Sequence, residues 1–241
     1  MKLLIIRHGD PDYANDTLTE RGVAEATALN PRMKKINPDH VYVSPLGRAK
    51  KTAELALEGL GKNTVTLPWL REFEGRCVKP GKETEGICWD WYPADWTVRP
   101  LFYDKDLWVT DPVFDGTNVP GEYEKVRAGL DSLLASHGYE RNGNIYRAVA
   151  PTNDTVALFC HFALQCFMLS HLLGCSPMVL LHGLVAAPTS VTTLYTEERR
   201  EGEASFRMGA YGDVSHLYAA GIEPSFSARF CECFKNDYER H

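Results

Sequence analysis

Four consecutive apolar residues, Leu3-Leu4-Ile5-Ile6, end abruptly on Arg7-His8-Gly9. A short apolar run without alternation, bounded at once by charge and glycine, is the pattern of a strand buried on both faces. Parallel strands in α/β proteins sit that way. The same logic continues along the chain. Thr19 stands as a helix cap before a run carrying Ala24, Ala26, Ala28 and Leu29. Residues 40–43 read as a second strand, and Ser44-Pro45 is expected to open a helix through Ala49, Ala53 and Leu55, with proline in its first turn. Residues 64–67 read as a third strand. Residues 155–160 form a late strand ahead of the apolar helix Phe162–Leu173, and residues 190–196 and 205–208 complete the strand candidates. This alternation predicts an α/β fold in three layers, with a mainly parallel sheet and helices on both faces.

Residues 76–120 break the pattern. They hold every tryptophan except Trp69, together with several Tyr, Pro and Asp, and show no clean period. So long and aromatic a segment is expected to be an insertion that caps or lids the sheet edge, inside a single domain spanning residues 1–241. Helical patterning resumes at Pro120-Gly121-Glu122, and Asn142-Gly143 marks a hairpin turn.

Charge and cysteine content narrow the function classes. A formal net charge of −6 offers no general polyanion-binding surface, so nucleic acid is not expected as a partner and any anion should bind locally. Seven scattered cysteines look like reduced core thiols, and Cys231-Glu232-Cys233 lacks the second pair that would complete a zinc site. The apolar run at the N-terminus is too short for a signal-peptide core and no stretch is long enough to span a bilayer, so a cytoplasmic protein without a membrane partner is expected.

Three groups fall just after expected strands: Arg7-His8 after the first, Arg48 after the second and His161 after the late one. Ligands of open α/β sheets bind beyond the carboxyl ends of the strands, so these side chains can converge on one pocket. Two guanidiniums and two imidazoles with no obligatory counter-anion describe a site for a phosphoryl group. Arg48 also lies in the first turn of its helix, where free amides and the dipole favour an anion.

At this point the chain resembles the histidine phosphatase superfamily, in its phosphoglycerate-mutase-like branch. Arg7-His8-Gly9 matches the signature triplet, Leu18-Thr19-Glu20-Arg21-Gly22 the L-T-x-x-G motif, and Ser44 to Ala53 the S-x-L-x-R-A-x-x-T-A segment. Phe159-Cys160-His161 matches the strand that ends in the second catalytic histidine, with weaker echoes at Ser190-Val191-Thr192 and Ser215-His216-Leu217. Residues 76–120 show no match.

The resemblance implies a phosphatase in which His8 is the nucleophile that forms a phosphohistidine. Arg7, Arg48 and a protonated His161 would hold the phosphoryl oxygens, and Gly9 would let backbone approach the phosphoryl group. With that positive charge, no metal or other cofactor is expected. Relatives often carry an asparagine near the phosphate, which makes Asn15 a candidate contact. Some carry the proton-donating acid directly after the second histidine, but His161-Phe162-Ala163-Leu164-Gln165 contains none. The other arrangement, after the third strand in an L-x-E context, fits Leu70-Arg71-Glu72; Glu72 is the expected donor and Glu74 the runner-up. His216 is expected to play a structural or supporting role.

The expected substrate is a small or bulky organic phosphomonoester, with inorganic phosphate as product. A phosphoglycerate-type phosphomutase is the alternative, although the paired arginines of glycolytic mutases are missing between Arg76 and Pro120. A non-catalytic phosphate-binding module is the third reading. The oligomeric state is left open by the sequence. Trp89, Trp91, Tyr92, Trp96, Phe102, Tyr103 and Trp108 either wall the pocket, which would favour bulky or aromatic esters, or hold the insertion to the sheet.

Overall fold

The structure, a computed structural model, describes residues 1–227; Cys231 and Cys233 lie outside the described residues. Its main sheet has eight strands: β1 (Lys2–Arg7), β2 (His40–Val43), β3 (Thr64–Thr66), β4 (Tyr139–Asn142), β5 (Ile145–Ala148), β6 (Thr155–Cys160), β7 (Val191–Arg200) and β8 (Glu203–Asp213). They are ordered β3-β2-β6-β1-β7-β8-β5-β4. The half β3-β2-β6-β1 is parallel, and every pair beyond β1 is antiparallel. Six strands therefore share one direction, with β7 and β5 opposed. The sheet is mainly but not wholly parallel.

Alternation along the central strands explains the layers. Leu4 and Ile6 of β1, with Ala157 and Phe159 of β6, pack against Leu29 and Met33 of α1 (Glu20–Ile36) and Ala49 and Ala53 of α2 (Gly47–Ala56). Leu3 and Ile5, with Val156 and Leu158, point the other way. They meet Leu130 and Leu134 of α3 (Val119–Ser136) and Leu164, Phe167 and Met168 of α4 (Phe162–Leu173). Neither face of β1 is solvated, as its unbroken apolar run required. Each such side chain contributes roughly 1.5–3 kcal/mol by leaving water. Edge strand β3 is three residues long and exposed throughout, short enough to limit pairing with another chain.

Local chemistry sets the boundaries. Thr19 caps α1 by accepting the Gly22 N–H, as expected. Helix α2, however, starts at Gly47 rather than at Ser44-Pro45. Ser44 Oγ accepts the Leu46 N–H at 3.2 Å and also meets a histidine, which holds the intervening turn extended. The Asn142-Gly143 turn is present, with Gly143 at φ 59°.

In the 76–120 segment, Arg76–Cys77 pairs with Gly86–Ile87 and short helical turns follow. Trp91, Phe102, Trp108 and Phe114 are buried in the same core as α3 and α4. The Trp108 ring lies 5.0 Å from Tyr123 of α3 and 5.6 Å from Phe167 of α4. Tyr92 and Tyr103 are exposed. Most of the aromatic content thus attaches the segment to the body of the protein.

Candidate active site

Parallel pairing in register brings the predicted groups together. Arg7 of β1 stands opposite Cys160 of β6, so the following residues, His8 and His161, are neighbours. Their ring centroids lie 5.1 Å apart, and Arg7, His8 and His161 are almost wholly buried. Strand β2 adds Ser44 on the far side of β6, with its Oγ 2.7 Å from His161 Nε2.

His8 Nδ1 lies 2.7 Å from the Gly9 carbonyl oxygen. A carbonyl can only accept, so Nδ1 carries the proton and Nε2 keeps its lone pair. Burial, then the charge of Arg7, lowers the His8 pKa well below the ordinary histidine value, with Arg48 adding to the effect. The neutral ring, the nucleophilic form, is therefore favoured. Gly9 N–H donates to Thr52 Oγ1 at 2.9 Å, and Thr52 donates to the Arg48 carbonyl at 2.7 Å. That pair of bonds ties the signature triplet to α2. Behind this ring, the His8 carbonyl accepts from Thr189 N–H, and Thr189 Oγ1 meets His216 Nε2 at 3.1 Å. His216 thus supports the turn that holds His8.

The glycine of the triplet also serves the packing of α1. A Cβ on Gly9 would sit 2.8 Å from the Gly22 carbonyl oxygen, and one on Gly22 would sit 2.2 Å from that of Asp10. The missing side chains let the first turn of α1 pack against the loop after β1.

Neither arginine stands without partners. Arg7 donates to the carbonyls of Ala186 (2.5 Å) and Ser227 (3.1 Å). Arg48 pairs with the Asp16 carboxylate at 2.7 Å, and the same carboxylate accepts the Gly47 N–H. The expected absence of a counter-anion is corrected by Asp16. What the site leaves over are inner donors: Arg7 Nε, Arg48 Nε and His161 Nδ1 are buried with no hydrogen-bond partner among the described residues. Buried unpaired polar atoms are costly, and two guanidiniums repel a cation, so these donors suit an anion. Burial, reinforced by His8, Arg48 and Arg7, holds His161 well below its ordinary value. Its ring is neutral here, and the protonated form expected from the sequence needs the charge of a bound anion.

Glu72 comes from the loop after β3. Its Oε1 accepts the N–H groups of Leu164, in the first turn of α4, and of Phe73, each at 2.9 Å. Burial raises its pKa against those bonds and against the pull of Arg7 and Arg48. Glu74 instead is exposed and pairs with Arg71. Asn15 is also exposed, with its amide donating to Asp12 at 2.8 Å; its neighbour Asp16 is the residue that reaches Arg48. Ser44, Thr52 and Asp16 carried no assigned role in the sequence reading. Ser44 and Thr52 do stand inside the motif around Arg48, which was the available signal.

A sequence profile of the histidine phosphatase superfamily (branch 1) matches residues 3–207. The chain belongs to this superfamily. Among curated relatives, it is 29% identical over 83 residues to a probable phosphoglycerate mutase GpmB of Cronobacter sakazakii, a stretch covering 31% of this chain and 39% of that protein. It is 35% identical over 82 residues to an adenosylcobalamin/alpha-ribazole phosphatase of Salmonella typhi, covering 30% and 41%. The chain thus spans about two fifths of the length of the curated relatives it matches. Among solved structures of this superfamily member's fold, a phosphoserine phosphatase of Entamoeba histolytica in complex with 3-phosphoglyceric acid superposes with TM-score 0.58. It is 22% identical and covers 90% of this chain and 98% of that one. A mycobacterial glucosyl-3-phosphoglycerate phosphatase gives TM-score 0.58 at 21% identity, covering 88% and 98%.

Proposed function

We propose that this histidine phosphatase superfamily member hydrolyses organic phosphomonoesters through a phosphohistidine on His8. The observation that carries the reading is the bond between His8 Nδ1 and the Gly9 carbonyl, which leaves Nε2 as the nucleophile beside three unpaired cationic or imidazole donors. His8 Nε2 attacks phosphorus, the ester P–O bond breaks, and Glu72 gives its proton to the leaving oxygen. Arg7, Arg48 and His161, protonated against the phosphoryl charge, hold the transferring oxygens. A water then attacks the phosphohistidine, returning a proton to Glu72 as the P–N bond breaks and inorganic phosphate forms. No metal ion is required for either step.

Hydrolysis is favoured over mutase chemistry by the fate of the insertion's cations. Arg99 is paired with Asp111, Arg76 donates to the Glu85 carbonyl, and Lys79 to those of Trp89 and Asp90. Side chains so engaged are poor receptors for a substrate carboxylate. For the organic group, the Trp89 ring stands edge-on to Phe162, the residue after His161, at 6.0 Å. That pair supports a preference for bulky or aromatic esters over phosphoglycerate.

Brief exposure to substrate followed by mass measurement tests the reading. An acid-labile phosphoryl adduct should appear on the native chain and be missing from His8→Ala. A panel of aryl, alkyl and glycerate phosphates, assayed beside phosphoglycerate mutase activity, tests the substrate class. No adduct, or mutase turnover exceeding hydrolysis, would overturn it.

A further inference from the structure

At the opposite pole of the sheet lies a cluster with no part in this chemistry. His40 is the first residue of β2, Asp154 immediately precedes β6, and His137 is the C-cap just after α3. One donor atom from each lies within 4.8 Å of the other two. His40 Nε2 is 3.2 Å from Asp154 Oδ2, and the two imidazole centroids are 4.7 Å apart. Tyr42 Oη lies 3.0 Å from His137 Nε2 and fixes that ring. The same two strands carry Ser44 and His161 at their other ends, roughly 20 Å away for a six-residue strand.

We propose that His40, His137 and Asp154 form a binding site for a divalent transition-metal cation of the zinc class. Two imidazoles and one carboxylate supply the nitrogen and oxygen donors such ions take, with a fourth position left to water. Tetrahedral coordination at ~2.0–2.2 Å places donors ~3.3 Å apart. The His40–Asp154 pair already has that spacing, and small rotations of the exposed His40 and half-buried Asp154 side chains bring His137 into reach. The Tyr42 hydroxyl is the kind of outer partner that orients metal-ligating histidines. A bound ion would tie the end of α3 to the starts of β2 and β6.

The test is titration of the whole chain in phosphate-free buffer with Co²⁺, followed by its visible bands, and with Zn²⁺ by calorimetry. One ion per chain is expected. Affinity should fall about tenfold or more in His40→Ala and in Asp154→Asn, whose exposed or half-exposed side chains can be changed without opening the core. It should be retained in His8→Ala and in a Cys231→Ser/Cys233→Ser double variant. Native thermal stability should rise with added Zn²⁺, and that rise should vanish in His40→Ala. Failure of the native chain to take up either ion saturably overturns the proposal. So does unchanged affinity in both ligand variants, or loss of binding in the cysteine or His8 variant.

Discussion

Glu72 Oε1 accepts the Leu164 N–H at 2.9 Å, which brings an acid from the loop after β3 to the turn that follows His161. The chain has no acid of its own in that turn, and the contact supplies one across 92 residues.

Glu72→Gln removes the proposed proton donor without removing the Oε1 acceptor that Leu164 and Phe73 use. The value of kcat/KM for alkyl phosphates should fall by about 10²–10⁴, and by much less for aryl esters whose leaving groups need little protonation. Glu74→Gln, at an exposed ion pair, should stay within about twofold of the native chain. Steady-state kinetics on both substrate types checks this; equal losses in the two variants would remove Glu72 from the role.

Two of the perturbed groups, His8 as the proposed nucleophile and Glu72 as the proposed donor, bound the pH profile. Burial lowers the His8 pKa, so the neutral nucleophile persists into the acid range, while burial raises the Glu72 pKa, so the protonated donor persists upward from its ordinary value near 4.5. Activity requires a pH above the first and below the second. A bell with its optimum on the acid side of neutrality is expected for alkyl esters, and the alkaline limb should flatten in Glu72→Gln with an aryl ester. An alkaline optimum would contradict the assignment.

Ser44→Ala leaves His161 Nε2 buried without its 2.7 Å partner. The penalty of an unpaired buried nitrogen is about 1–3 kcal/mol of stability, readable by denaturant titration. Turnover should drop more than substrate affinity, because a ring that can swing no longer meets the phosphoryl oxygens in one orientation. An unchanged kcat would show that this bond does not position His161.

Gly22→Ala places a methyl 2.2 Å from the Asp10 carbonyl oxygen, well inside contact distance. Either α1 or the loop after β1 must shift, at a cost of roughly 1–3 kcal/mol or more. The shift acts through the packing of Gly9 against Gly22, so activity should fall together with stability. Gly121→Ala, where nothing lies within 4 Å of the added carbon, is the control expected to do neither.

Several features were determined by the sequence alone because the physics is local. The unbroken run Leu3-Leu4-Ile5-Ile6 required burial on both faces of β1, Thr19 announced the start of α1, and Asn142-Gly143 announced a hairpin. Strand ends in an α/β pattern were enough to gather Arg7, His8 and His161. Tertiary structure decided the rest. It paired Arg48 with Asp16, placed Glu72 rather than Glu74 at the turn after His161, and packed the bare Cα of Gly9 against Gly22 of α1. It also put most insertion aromatics into the core. Each of those outcomes depends on which loop passes which strand end, and so on the order β2-β6-β1 across the sheet. A period of two records which face a residue takes, but carries no information about the neighbour it meets there.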